Sequence, residues 1–97
     1  MPTYLTLVKF TDQGIRNIKE SPKRAEAFRG LCDKLGAKAK DIYWTMGRYD
    51  IVVIMESPDD VTMEAVLYSV GSLGNVRTET LRAFTAQETA QALAKLA

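Results

Sequence analysis

The chain has 97 residues, of which 46% are hydrophobic and 26% are charged, and its formal net charge is +1. These values are normal for a single globular domain over residues 1–97, and they argue against a disordered chain. The single cysteine excludes an intrachain disulfide, and the balanced charge argues against the basic surface that nucleic-acid-binding proteins usually carry.

The first half of the chain predicts a strand, a helix and a hairpin. Residues 4–10 are mostly β-branched, aromatic and aliphatic, as in a short strand. A helix then begins at Ser21, which is expected to cap it, and Gly36 is expected to end it. Two further strands, over residues 42–46 and 51–55, are joined by a two-residue turn at Gly47 and Arg48. The apolar stripe of the helix consists of Ala25, Phe28, Leu31, Cys32 and Leu35.

The second half of the chain predicts a helix, a strand and a final short helix. The first of these helices opens at Ser57–Asp60, and a strand follows over residues 76–84. Thr85 and Glu88 form a capping-box pattern, which predicts a C-terminal helix up to Leu96. The order β-α-β-β-α-β with an added helix indicates an α+β, ferredoxin-like fold with a four-stranded antiparallel sheet. The apolar stripe of the middle helix consists of Met63, Val66, Leu67, Val70 and Leu73.

The hairpin register assigns side chains to the two faces of the sheet, because opposed residues share a face and each strand alternates. The second face holds Val52 and Ile54 beside polar side chains, so it would expose apolar surface in a monomer. Either a second copy of the chain covers this face in a two-fold oligomer, or the C-terminal helix folds across it. We expect an oligomer. The first face is apolar throughout, so the two amphipathic helices are expected to cover it, and it is expected to carry Ile42, Trp44, Met46, Tyr49, Ile51, Val53 and Met55.

The hairpin run from Tyr43 to Val52 contains Gly47, Tyr49 and Asp50 in close succession. This arrangement resembles the one that names the GYD-domain family, and the resemblance spans roughly residues 3–85. The run 74–84 is similar to the closing strand of the family, and the run 8–15 is similar to its opening segment. Arg48 departs from the acidic or neutral residue that is common at this position. The resemblance implies a ferredoxin-like fold of the dimeric α+β barrel type, and it implies no activity.

The candidate ligand-binding residues are Tyr43, Thr45, Asp50 and Arg82. Asp50 could anchor a ligand or act as an acid or base beside Tyr43, Thr45 and a cation. In the alternative interpretation Asp50 only accepts backbone hydrogen bonds, or pairs with Arg82 or Lys9. Gly47 is expected to be a turn glycine with positive φ.

No metal or cofactor is expected. The chain has no histidine, so Ser-His and Cys-His catalysis is excluded, and zinc, haem and copper lack their usual ligands. Cys32 is expected to be a buried hydrophobic residue of the first helix. The N-terminus shows no signal peptide and no segment is long enough to span a bilayer, so we expect a cytoplasmic protein with no membrane partner.

These patterns lead to a small homo-oligomeric binding or scaffold protein, whose second sheet face is buried between subunits and can enclose a small-molecule ligand. The alternative is a cofactor-free enzyme that uses Asp50 with a neighbouring tyrosine. Nucleic-acid binding through the cationic first half is a third hypothesis, disfavoured because acidic residues interrupt the cations.

Overall fold

The computed structural model describes all 97 residues and has the predicted α+β architecture. Four strands form one antiparallel sheet in the order β2-β3-β1-β4. Two long helices, α2 and α3, pack against one face of this sheet and against each other. The strands are β1 (Thr3–Phe10), β2 (Lys38–Trp44), β3 (Ile51–Glu56) and β4 (Val76–Ala83), and the helices are α1 (Asp12–Arg16), α2 (Ser21–Leu35), α3 (Asp60–Gly71) and α4 (Ala86–Leu93).

The sequence signals at the helix ends are largely confirmed. Gly36 has a φ of 89° after α2, and Asp59 accepts a hydrogen bond from the Thr62 amide at the start of α3. The capping box of Thr85 and Glu88 is present at the start of α4. The cap expected from Ser21 is wrong. A 3₁₀ turn at Ile18–Glu20 runs directly into α2, and the Ser21 hydroxyl instead accepts a hydrogen bond from the Trp44 indole.

The predicted bounds of β2 are also wrong. The strand runs from Lys38 to Trp44 and contains an irregularity between Ala39 and Asp41. Its first half alternates lysine with alanine, so a search for apolar runs does not detect it. As an edge strand, β2 carries polar side chains that a central strand would not.

The hairpin between β2 and β3 is wider than a two-residue turn. The predicted pairing of Trp44 with Ile51 is confirmed, and the Thr45 amide donates to the Asp50 carbonyl at 2.9 Å. Gly47 has the expected positive φ, at 112°. Met46, however, is fully exposed and makes no backbone hydrogen bond with Tyr49, so its assignment to the covered face is wrong.

The fully buried core occupies one end of the space between helices and sheet. Met55, Val66 and Cys32 have no exposed surface. Met63 of the α3 stripe is buried as well. The other stripe residues of α2 and α3 are less buried than their spacing predicts, since Leu35 and Leu73 are exposed and Ala25, Phe28, Leu31, Leu67 and Val70 are only partly covered. None of the helices combines the length with the apolar character that crossing a bilayer requires.

Candidate functional site

One face of the sheet has no covering element, and we call it the open face. Along β3 the burial alternates, so that Ile51, Val53 and Met55 are buried under the helices while Val52 and Ile54 are partly exposed. The pairing of the strands assigns to the open face Thr3, Leu5, Leu7, Lys9, Lys38, Asp41, Tyr43, Val52, Ile54, Glu56, Arg77, Glu79, Leu81 and Ala83.

The centre of the open face is apolar and its margin is charged. Val52 lies between Leu7 on β1 and Tyr43 on β2, and Ile54 pairs with Leu5. Tyr43 and Leu81, on the two edge strands, are 58% and 47% exposed. A contiguous apolar surface with a polar margin is typical of an interaction site.

The helix α4 does not cover the open face. None of its residues is buried, and it makes no extensive contact with any other element. Leu93 is 59% exposed, and Leu96 beyond the helix end is 74% exposed. The C-terminal helix is thus excluded as the cover for Val52 and Ile54 within one chain.

Tyr49 reaches across the open face. Its hydroxyl donates to Glu79 Oε2 on β4 at 2.8 Å, and the Lys9 ammonium lies 5.6 Å from the centre of its ring. The hydrogen bond to Glu79 raises the pKa of the phenol, and partial burial adds to this effect. The expectation that Tyr49 faces the helices is therefore wrong, because the wide turn directs its side chain over β1.

Asp50 joins the ends of two strands. Its amide donates to the Val8 carbonyl at 2.8 Å, and its Oδ2 accepts the Phe10 amide at 2.8 Å. The expected backbone hydrogen bond of Asp50 is present, although its donor belongs to β1. Thr45 donates its hydroxyl to the Tyr49 carbonyl at 2.7 Å, which closes the hairpin.

The structure does not bring all four candidate residues together. Tyr43, Thr45 and Asp50 lie on or beside the hairpin end of the open face. Arg82 pairs with Tyr4 at the other end of the sheet and on the opposite face. Its guanidinium contacts Glu88 at 3.7 Å and lies over the Phe84 ring at 4.4 Å. Neither Arg82 nor Lys9 forms an ion pair with Asp50.

A cluster of titratable side chains between α3 and β4 was not found from the sequence. The Tyr4 hydroxyl donates to Asp60 Oδ1 at 2.5 Å beside Arg82. Burial of Tyr4, followed by its hydrogen bond to Asp60, raises the pKa of the phenol. The cluster lines a groove of about 470 Å³. The two partners are 56 positions apart, so no local pattern connects them.

The larger cavity, of about 480 Å³, lies on the helix-covered side of the sheet. Neither this cavity nor the groove at Tyr4 is lined by Tyr43, Thr45 or Asp50. The two largest described spaces of the single chain therefore lie away from Asp50.

The one cysteine has a structural position. Cys32 is fully buried in α2, as its place in the apolar stripe predicts. Burial, with a smaller effect of Asp33, raises the pKa of the thiol to about 12. The neutral thiol consequently behaves as a small hydrophobic side chain.

The chain is similar to known proteins in both sequence and structure. Residues 4–93 match the GYD domain family. A glutamine synthetase and cystathionine beta-lyase binding protein from Thermus thermophilus is 32% identical over 84 residues, covering 86% of this chain and 88% of that protein. The crystal structure of TTHA0845, also from Thermus thermophilus, superposes with a TM-score of 0.59 at 27% identity, and the match covers 89% of this chain and 96% of that one.

Proposed function

The chain belongs to the GYD domain family, and on that basis we propose that it is a small homo-oligomeric protein that binds metabolic enzymes. Two copies pack through the open face, and the assembled oligomer presents its remaining surface to the partner enzyme. The observation that carries the proposal is the apolar centre of the open face around Val52 and Ile54, which no part of the chain covers.

The size and charge of the open face suit a two-fold contact. Four strands of up to eight residues span roughly 19 by 27 Å, which is on the order of 500 Å² of flat surface. A stable interface buries about 800 Å² on each partner, so α4 or the strand margins must add to the contact. The margin carries both signs, with Lys9 and Arg77 against Glu56 and Glu79, as a self-complementary interface requires.

The proposed class of partner rests on what the relative from Thermus thermophilus is described as binding. That protein is described as binding glutamine synthetase and cystathionine beta-lyase, and it shares most of its length with this chain. We propose that this chain likewise binds an enzyme of amino-acid metabolism. Asp50, Tyr49 and Thr45 maintain the hairpin at the end of the open face, where Tyr43 is available for the contact between subunits.

The oligomer is tested by mass measurement in solution. Light scattering at 10–100 µM should give a multiple of the 10.8 kDa chain mass, and Val52→Asp should shift it to the monomer mass. Val61→Asp is the matched control, because Val61 is 76% exposed on α3 and away from the open face. Leu81→Asp tests the same surface from the edge strand β4 if Val52→Asp does not fold. A wild-type monomer at 100 µM would refute the proposed assembly.

The partner is tested separately, by co-elution of the purified protein with purified glutamine synthetase from the same organism. A complex that forms with wild type and with Val61→Asp supports the proposed binding function. If the oligomer forms but neither glutamine synthetase nor cystathionine beta-lyase co-elutes with it at micromolar concentration, the assembly stands and the partner assignment is rejected.

A further inference from the structure

The larger cavity lies between α2, α3 and the covered face of the sheet, on the side opposite to the proposed subunit contact. Its volume of about 480 Å³ falls within the roughly 300–1,000 Å³ that is usual for small-molecule sites. It occupies the end of the sheet where β1 finishes and β3 begins. Most of its lining is apolar, from Val8, Phe10, Phe28, Ile51, Leu67 and Val70.

The cavity accounts for the incomplete burial of the two helix stripes. Phe28 and Leu31 of α2 and Val70 of α3 lie at core positions of their helices, yet each is only partly buried and lines this space. Protein interiors are normally packed about as densely as organic crystals. Apolar side chains around an open volume of this size therefore lack contacts that an apolar ligand would supply.

One end of the cavity has unused hydrogen-bond donors. Ser21 is 3% exposed, and its hydroxyl oxygen accepts from Trp44 Nε1 at 2.9 Å while donating to no acceptor in the protein. Arg24 lies one turn further along α2 and donates to the Asn17 and Gly14 carbonyls at 2.9 and 3.2 Å. These contacts use two of the five guanidinium N–H groups.

Arg24 also has no carboxylate partner. The three ion pairs of the structure join other cations to Glu26, Glu56 and Glu88. A guanidinium without a counter-ion, at the wall of an apolar cavity, favours a ligand with a carboxylate that it can bind through two parallel hydrogen bonds.

We propose that this cavity binds a small apolar carboxylic acid. The hydrocarbon part lies between α2 and α3, and the carboxylate is received by Arg24 and the Ser21 hydroxyl. This site does not depend on the proposed subunit contact, because the open face and the cavity lie on opposite sides of the sheet.

The probes are octanoate, and octanol as the matched ligand without a charge. Calorimetry and the fluorescence of Trp44, the single tryptophan, report binding, since the indole donates to Ser21 at the cavity wall. Octanoate should bind at least tenfold more tightly than octanol, and it should raise the melting temperature. Arg24→Gln should reduce octanoate affinity about tenfold and leave octanol affinity within twofold.

A second experiment tests the location of the binding site by filling the cavity with a larger side chain. Ala25 lines the cavity, so Ala25→Phe should occupy it, abolish the binding of both probes and keep or raise the melting temperature. Ala65→Phe adds the same side chain on the exposed side of α3 and should bind both probes as wild type does. Absence of octanoate binding to wild type, unchanged binding in Ala25→Phe, or equal loss of both ligands in Arg24→Gln would each overturn the proposal.

Discussion

The residues that name the family, Gly47, Tyr49 and Asp50, have three separate structural roles at one end of the sheet. Gly47 adopts a φ of 112°, which other residues rarely adopt. Tyr49 extends from the turn across β1 to Glu79 on β4. Asp50 contacts β1 twice, through its amide to Val8 and through its carboxylate to Phe10. Together they hold the hairpin to β1 and β4.

The role of Asp50 can be tested by comparing two substitutions. Asp50→Ala leaves the Phe10 amide without an acceptor in a partly buried position, and it should lower the free energy of unfolding by about 1–3 kcal/mol. Asp50→Asn keeps a side-chain oxygen in the same place and should remain within about 1 kcal/mol of wild type. Urea denaturation followed by circular dichroism gives both values.

A different pattern would favour a functional role for Asp50. If Asp50→Ala unfolds at the wild-type urea midpoint but loses binding to the partner enzyme, the carboxylate contacts the partner and not only β1. The ligand-binding role expected of Tyr43, Thr45 and Asp50 stays a prediction.

At the residue scale, the sequence predicted backbone conformation and burial better than it predicted side-chain contacts. The positive φ of Gly47 and the burial of Cys32 follow from residue type and spacing. The direction of the Tyr49 side chain does not, because it depends on how wide the turn is. The hydrogen bond from Tyr4 to Asp60 joins residues far apart in the chain, and only the packing of α3 on the sheet brings them together.

At the scale of elements, the helix boundaries depend on local hydrogen bonds that can be read from the sequence. Asp59 and Thr85 each accept an amide three residues ahead. The Thr85 capping box was anticipated from residue type and spacing, and for α3 the sequence predicted only that the helix opens within Ser57–Asp60. The start of α2 at Ser21 was also anticipated, but its capping was not, since a 3₁₀ turn at Ile18–Glu20 precedes the helix and occupies the position where a cap would act. The first residues of β2 form no apolar run, so the sequence does not mark them as a strand. Their strand conformation depends on pairing with β3.

The cap of α3 gives a prediction about pH. The hydrogen bond from the Thr62 amide holds the pKa of Asp59 below its usual value of 3.8. The folded state therefore favours the charged carboxylate, and the stabilisation is present above about pH 4 and lost as the pH falls through the lower folded pKa. Asp59→Asn retains an acceptor that does not titrate, so its stability should fall less steeply than that of wild type between pH 5 and pH 2.

Asp33→Asn is the control for this measurement. Asp33 is exposed on α2 and its side chain makes no hydrogen bond, so the variant should keep the wild-type slope. Thermal denaturation at several pH values gives the comparison. Equal slopes for wild type and Asp59→Asn would show that the Asp59 cap does not contribute to acid unfolding.

Two parts of the molecule lack cover from the rest of the chain: the open face of the sheet and the helix α4. Its radius of gyration is 14.7 Å, against about 12.5 Å expected for a chain of this length. Its longest dimension is 51 Å, with α4 as the element that makes no extensive contact elsewhere. A helix with so few contacts in its own chain still has an amphipathic pattern and a capping box, which suits the proposed packing against a second copy.

If α4 contributes to the proposed subunit contact, its residues affect self-association and leave the stability of the single chain unchanged. Leu93→Glu places a charge on the apolar side of α4, so it should weaken self-association at least tenfold in sedimentation experiments. The same substitution should leave the unfolding free energy of the dissociated monomer within about 0.5 kcal/mol, because Leu93 is exposed within one chain. Gln91→Glu adds the same charge on the other side of the helix and should change neither quantity. If Leu93→Glu instead destabilises the monomer and leaves its association unchanged, α4 packs within its own chain, and the subunit contact is confined to the open face.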